Sequence, residues 1–441
     1  MWTDALGQPV TLEDPAGLAP LNDFVEGFIA CEARAANILS AQEDPSPVVQ
    51  ACVAAVHMFA ESAQAPANAR PFIDKALAGA ARVTPRERSF IAAVQAWVDG
   101  DLPRAIARHE QHAREHPRDV AALKLGQYHL FNRGDSPGML RIALPARQAA
   151  ADVPYLHGML AFAWEQCHAL EEAESAARRA MAMRRKEPWA HHALAHVMLT
   201  QGRIDEGHAF LAGVADTWTG LNSFMVTHNW WHQALFALER DAIDEALGLY
   251  DDRVWGVAKD YTQDQVNAVS LLARIELAGG GVGDRWQDLG SCLAARTADQ
   301  VLPFLDMQYL LGLARAGRPQ ARVLLANIEA RSAASPDAAW REVCLPASRG
   351  LLAWAEGDHG TAVRELGTAL PRLVEIGGSH AQRDLFAQVH LDSMIRSGRL
   401  PGAQNLLQPQ VRAQPQSKRL RKLAQRLYPQ LGLRDAMETF L

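Results

Sequence analysis

From Leu21 onward the chain reads as one amphipathic helix after another. Phe24, Phe28, Cys31 and Ala35 recur at three-to-four spacing, the period of a single helix face. The same pattern predicts helices over about 47–63 and 68–80. Thr84-Pro85-Arg86-Glu87 is a capping box with proline at the first helical position, and the helix it opens aligns Phe90, Ile91, Val94 and Trp97. Pro117, Pro154 and Pro188 mark later helix starts. Residues 1–20, broken by Pro9, Pro15 and Pro20, predict an irregular lead-in. A last helix near 417–428 divides Leu420, Leu423 and Leu427 from Lys418, Arg419, Arg421, Lys422 and Arg426, the polar outer face that a terminal cap requires. The glycines from Gly279 to Gly283 predict an interhelical turn, since no G-K-[ST] ending follows them. The Pro/Gln stretch from Gln408 to Gln416 predicts a loop.

The breaks between helices are regularly spaced. Gly100, Gly134, His168 and Gly202 stand 34 residues apart, and Asp241, Gly280, Gly317, Gly357 and Gly398 continue at steps of 37 to 41. A small residue often follows five positions later, as Ala105, Ala173, Gly207, Ala246, Ala362 and Ala403 do, where two helices of a hairpin cross closely. A 34-residue period is that of tetratricopeptide-type helical hairpins, each of which must stack on its neighbours to bury its apolar face. The expected fold is therefore all-α, a right-handed superhelical solenoid of about ten hairpins. It divides into the lead-in at 1–20, a solenoid at 21–410 and capping helices at 411–441.

Composition narrows the function classes. At 441 residues and 49% hydrophobic, the chain exceeds the usual single compact domain, but a solenoid core grows along one axis. The net charge of −6 argues against nucleic acid as a partner. No stretch approaches 18 uninterrupted apolar residues and no signal peptide is apparent, so no membrane association is expected. The five scattered cysteines read as reduced thiols of a cytoplasmic protein.

Candidate chemistry concentrates on two successive helices. In the tetratricopeptide pattern the first helix of each hairpin lines the hollow. Trp189, His192 and His196 recur on one such face, as do His228, Trp231 and His232 on the next, with Phe162 and Glu165 on the helix before. His192/His196 and His228/His232 are i,i+4 pairs, so both members of each share a face. Three readings stand beside one another: hydrogen-bonded packing residues, a metal site, and a polar aromatic pocket. The metal reading lacks the Glu of H-E-x-x-H and a third ligand fixed by spacing, so no metal is assigned. The pocket reading accounts best for all four imidazoles together. Further on, Gly377-Gly378-Ser379-His380-Ala381-Gln382-Arg383-Asp384 is a turn into a Ser-x-x-Gln capping box. Capping leaves His380, Arg383 and Asp384 unexplained, and Arg383 suits a carboxylate or phosphate. Arg274 and Glu276, on an otherwise apolar helix, and Asp284-Arg285-Trp286 read as salt-bridge or cap residues.

Pro188-Trp189-Ala190-His191-His192-Ala193-Leu194-Ala195-His196-Val197, His228-Asn229-Trp230-Trp231-His232-Gln233-Ala234-Leu235, Ser270 to Leu277, Gly283 to Trp286 and Gly377 to Asp384 together resemble the tetratricopeptide repeat protein 38 family. The resemblance runs from about residue 20 to 410. It carries His192, His196, His228, Trp231, His232, His380, Gln382, Arg383 and Asp384 over as site residues. It implies the helical-repeat fold and no settled reaction, ligand or cofactor.

Two functions follow as expectations. The first is a binding module for a small polar or anionic ligand, or a peptide end, held by Trp189, Trp231, Glu165, His380, Gln382 and Arg383. The second is a hydrolase or acid–base catalyst, with or without metal assistance, in which His192, His196, His228 or His232 moves protons and Asp384 or Glu165 orients an imidazole. A homodimer is compatible with the apolar end faces of a solenoid.

Overall fold

A computed structural model describes residues 2–440. The regular structure is almost wholly helical, apart from a two-stranded antiparallel pairing of Trp2–Thr3 with Pro9–Val10. That pairing is the first difference from expectation. The lead-in is a small hairpin whose turn is tied by Asp4, with Oδ1 accepting from the amides of Leu6 and Gln8. Pro20 does not break the first helix, Leu18–Ala30, because it falls in the opening turn, where no intrahelical donor is needed.

The hairpins are made by one repeated backbone device. Gly100, Gly134, His168, Gly202, Asp241, Gly279, Gly317, Gly357 and Gly398 all have φ between 59° and 93°. At each, the following amide reaches back to a carbonyl five residues earlier, as Asp101 does to Ala96 and Arg203 to Met198, both at 2.9 Å. This is the Schellman closure of a helix end. Except after Gly279 and Gly317, the next residue then caps the second helix, with a side-chain bond at Asp101, Asp135 and Asp358. One position of the expected series moves. Gly279 rather than Gly280 takes the left-handed conformation, and Gly280 is needed for space, since a Cβ there would lie 2.7 Å from the Cγ2 atoms of both Ile243 and Ile275. Pairs such as Pro85–Val98 with Leu102–Glu115, and His380–Arg396 with Leu400–Ala413, are the resulting antiparallel units. The architecture is an all-α stack of helical hairpins, a solenoid.

The expected loop over Gln408–Gln416 is confined to Gln414–Gln416. The helix Leu400–Ala413 runs through Pro409, because Leu407 and Val411 on either side are buried and hold the segment helical against the lost proline donor.

The chain divides into two compact units. One comprises residues 1–194 with 216–225, the other 195–215 with 226–441. In the first, the segment 216–225 returns to the opening helix. Glu32 bridges Leu221, the amide of Ala33 donates to Gly220, and Lys186 Nζ sits 2.8 Å from Glu32 Oε1. In the second, the terminal helix Lys418–Leu427 meets the unit's own early turn. Arg419 pairs with Glu239 and Lys422 with Asp241, each at 2.8 Å. Part of the basic run expected to be a solvated cap thus has an acidic partner within the same unit. Among the described residues no helix is long and apolar enough to cross a membrane.

Candidate functional site

The second unit gathers His196, His228, Trp231 and His232. The helix Pro188–Thr200 supplies His196, and Ser223–Glu239 supplies the other three. The centroids of His196 and His232 are 4.5 Å apart and those of His228 and His232 4.8 Å. Trp231 stacks on His228 at 5.1 Å with an interplanar angle of 8° and meets His232 in a T-shaped contact at 4.8 Å. These rings, expected along an open hollow, are instead at most 2% exposed. Burial holds His228 near pKa 3, so its ring is neutral at ordinary pH.

Behind His228 runs a line of polar groups. Asp264 Oδ1 accepts the hydroxyl proton of Thr227 at 2.6 Å, Thr227 Oγ1 accepts from Asn267 Nδ2 at 3.2 Å, and Asn267 Oδ1 stands 2.9 Å from His228 Nδ1. A carboxylate only accepts, so each direction follows from the first, and His228 carries its proton on Nδ1. Asp264 and Asn267 lie on the helix Thr262–Leu277, which one turn further on carries Ser270 and then Arg274.

Arg274 joins the two regions singled out in the sequence. Its Cζ lies 5.6 Å from the centroid of Trp231, its Nη2 donates to the carbonyl of Ala381, and Nη1 is 3.6 Å from Asp384 Oδ2. It is 2% exposed, and burial lowers its pKa to about 10. The second constellation is otherwise engaged in its own turn. Gln382 Oε1 accepts from the Ser379 amide at 2.8 Å in the expected capping box. Arg383 Nη1 donates to the carbonyls of Gly377 and Gly378, and Nη2 stands 3.3 Å from His380 Nδ1. Asp384 is exposed, takes a bond from Gln388 Nε2 at 2.5 Å and faces Arg274.

Three expected residues belong to the first unit. Trp189 stacks on His192 at 4.7 Å, and Phe162 contacts both rings at about 5 Å. Glu165 accepts from Gln166 at 2.5 Å. Lys124 lies over Trp189 at 5.3 Å. His191 is occupied on both nitrogens, taking the indole N–H of Trp218 at 3.2 Å and meeting the Arg185 carbonyl at 2.8 Å.

The residues missed by sequence reasoning are Thr227, Asp264 and Asn267, together with the linking role of Arg274. Their signal was present, as polar residues at 264, 267, 270 and 274 repeat at helical spacing on an apolar helix. A surface cleft of about 310 Å³ lined by Trp255, Lys259, Arg285 and Asp288 is less suited to a charged ligand, because Lys259 pairs with Asp288 and Arg285 with Asp251, each at 2.7 Å.

Fold and site together define the class: an all-α helical-repeat protein with a buried histidine cluster. No protein-family model matches the chain. Among solved structures, the chain is similar to one described as "Structure of Naa15/Naa10 bound to HypK-THB", at 11% identity over 96% of this chain and 68% of that one, with a TM-score of 0.26. So loose a superposition carries no argument.

Proposed function

We propose that the protein is a cytoplasmic helical-repeat binding protein, similar to the tetratricopeptide repeat protein 38 family. It holds a small anionic or amide-bearing molecule, or a peptide end, on the polar seam of its second unit. The observation that carries this reading is Arg274. It is a buried guanidinium whose Nε has no hydrogen-bond partner and which, among the described residues, forms an ion pair with Asp384, exposed and 3.6 Å away, with Glu239 acting from further off. The indole nitrogen of Trp231, the hydroxyl of Ser270 and the amide of Gln308 are likewise buried without partners. Each such group costs about 1–3 kcal/mol when left unmet, which a ligand carrying both charge and acceptors would offset.

The test is a thermal-shift panel of short dicarboxylates, phosphomonoesters and acyl amides against the natural chain and Arg274→Gln. At least one anion class should raise the wild-type melting temperature in proportion to the logarithm of its concentration, with the rise abolished in Arg274→Gln. No shift in the wild type, or a shift that survives in the folded variant, would sink the reading.

An acid–base enzyme is the second reading, favoured by the Asp264–Thr227–Asn267–His228 line. Asn267 takes the orienting role expected of Asp384 or Glu165. Turnover in a metabolite screen, lost in His228→Gln, would support it over binding alone.

A further inference from the structure

We propose that His196, His228 and His232 form a binding site for a divalent transition-metal ion of the zinc class. The proposal goes beyond the ligand seam and does not depend on it. One ring nitrogen of each of the three lies within 4.8 Å of the others. Zinc bonded to imidazole at 2.0–2.1 Å needs its ligand nitrogens roughly 3.4 Å apart, so small rotations of the rings would close the set. Two successive helices supply the third donor that the 192/196 spacing alone could not. His192 lies one turn before His196 on the same helix.

The donor chemistry selects the metal. Neutral imidazoles without a carboxylate among them suit zinc, copper, nickel or iron rather than calcium or magnesium. The surroundings have the form that metal-ligating histidines require. Asn267 accepts the Nδ1 proton of His228 and so places the ring's basic lone pair on Nε2. Asn267 is held in turn by Thr227 and Asp264. Such outer hydrogen bonds fix the tautomer and orientation of ligating imidazoles. Trp231 packs face to face on His228 and edge to face with His232, which holds the two imidazoles beside one another. A packing role alone does not call for a tautomer fixed by a chain of four side chains ending in a buried carboxylate.

The experiment uses the untagged full-length chain, stripped with a chelator and titrated with zinc(II) or cobalt(II). The expected result is about one equivalent bound per chain and a raised melting temperature. Cobalt should give the visible bands of a tetrahedral site of three imidazoles completed by one solvent oxygen, without the near-ultraviolet thiolate absorption that binding at cysteine would produce. His196→Asn, His228→Asn and His232→Asn combined should abolish binding. Because removing three buried rings threatens the fold, Asn267→Leu provides a second arm. It retains every imidazole and should weaken the metal 10- to 100-fold while the circular dichroism stays native. Absence of stoichiometric metal on folded wild type, or unchanged affinity in a folded His228→Asn chain, overturns the proposal. Metal binding with no anion response would refute the seam and leave this site standing, and the reverse pattern would refute this site alone.

Discussion

The guanidinium of Arg274 lies over the indole of Trp231, with Cζ 5.6 Å from the ring centroid. Its Nη2 reaches the carbonyl of Ala381, 107 residues further along the chain. One buried cation thus ties three helices of the second unit. Arg274→Ala removes a desolvated cation–π contact and a charge-assisted bond, and should cost about 3 kcal/mol in urea denaturation. Asp384→Asn, at the exposed end of the same pair, should cost less than about 1 kcal/mol. Equal losses would place the energy in the ion pair rather than in the buried contacts.

Glu187, before the helix Pro188–Thr200, is buried, and burial raises its carboxyl pKa from 4.5 to about 8, against the opposing pull of its bond from the Ala190 amide and the charges of Lys124 and Arg184. The folded state therefore holds a proton that the unfolded state releases. This group's contribution is complete below pH 4.5 and is lost as pH rises from 4.5 to 8, at up to about 1.4 kcal/mol per pH unit. Glu187→Gln should flatten the decline in stability between pH 6 and 8. Parallel pH curves for the two chains would show that Glu187 is ionised when folded.

Gly207 lies against the ring of Phe236, where an added Cβ would overlap the aromatic carbons. Both positions are in the packed interior of the second unit. Gly207→Ala should destabilise by about 1–3 kcal/mol despite alanine's better helix propensity. A neutral or stabilising result in calorimetry would mean that Phe236 has room to turn aside.

His168 occupies a left-handed turn, with φ of 60°, where seven of the nine equivalent positions carry glycine. Relief of that strain, less glycine's greater entropy in the unfolded chain, should make His168→Gly more stable by about 0.5–1 kcal/mol. Gly134→Ala should move the melting temperature the opposite way. A loss of stability in His168→Gly would reveal that the imidazole contributes more than its backbone strain costs.

The candidate site was partly legible. The pairs 192/196 and 228/232 were visible because helical spacing places both members on one face. Gln382 and Arg383 were visible as polar residues, yet both are used by their own turn, as a cap and as a clamp on the glycine carbonyls. Arg274 looked like an isolated charge, since nothing local marks the carbonyl of Ala381 as its acceptor.

What the sequence determined by itself was the succession of hairpins. A Schellman turn is a local object, requiring a residue that tolerates positive φ and one amide reaching back five positions, so Gly100, Gly202 and Gly357 announce it without help from the rest of the chain. The capping boxes at Thr84/Glu87 and Ser379/Gln382 are local in the same way. Tertiary structure decided which polar groups became buried neighbours. Asn267 orients His228, Arg274 reaches Ala381, and Arg419 meets Glu239 only because packing brings distant helices together. It also overrode local chemistry at Pro409, where buried Leu407 and Val411 keep a helix that the proline opposes. Hydrogen bonds between residues far apart in sequence depend on the summed geometry of every intervening hairpin, and no short stretch of chain contains that information.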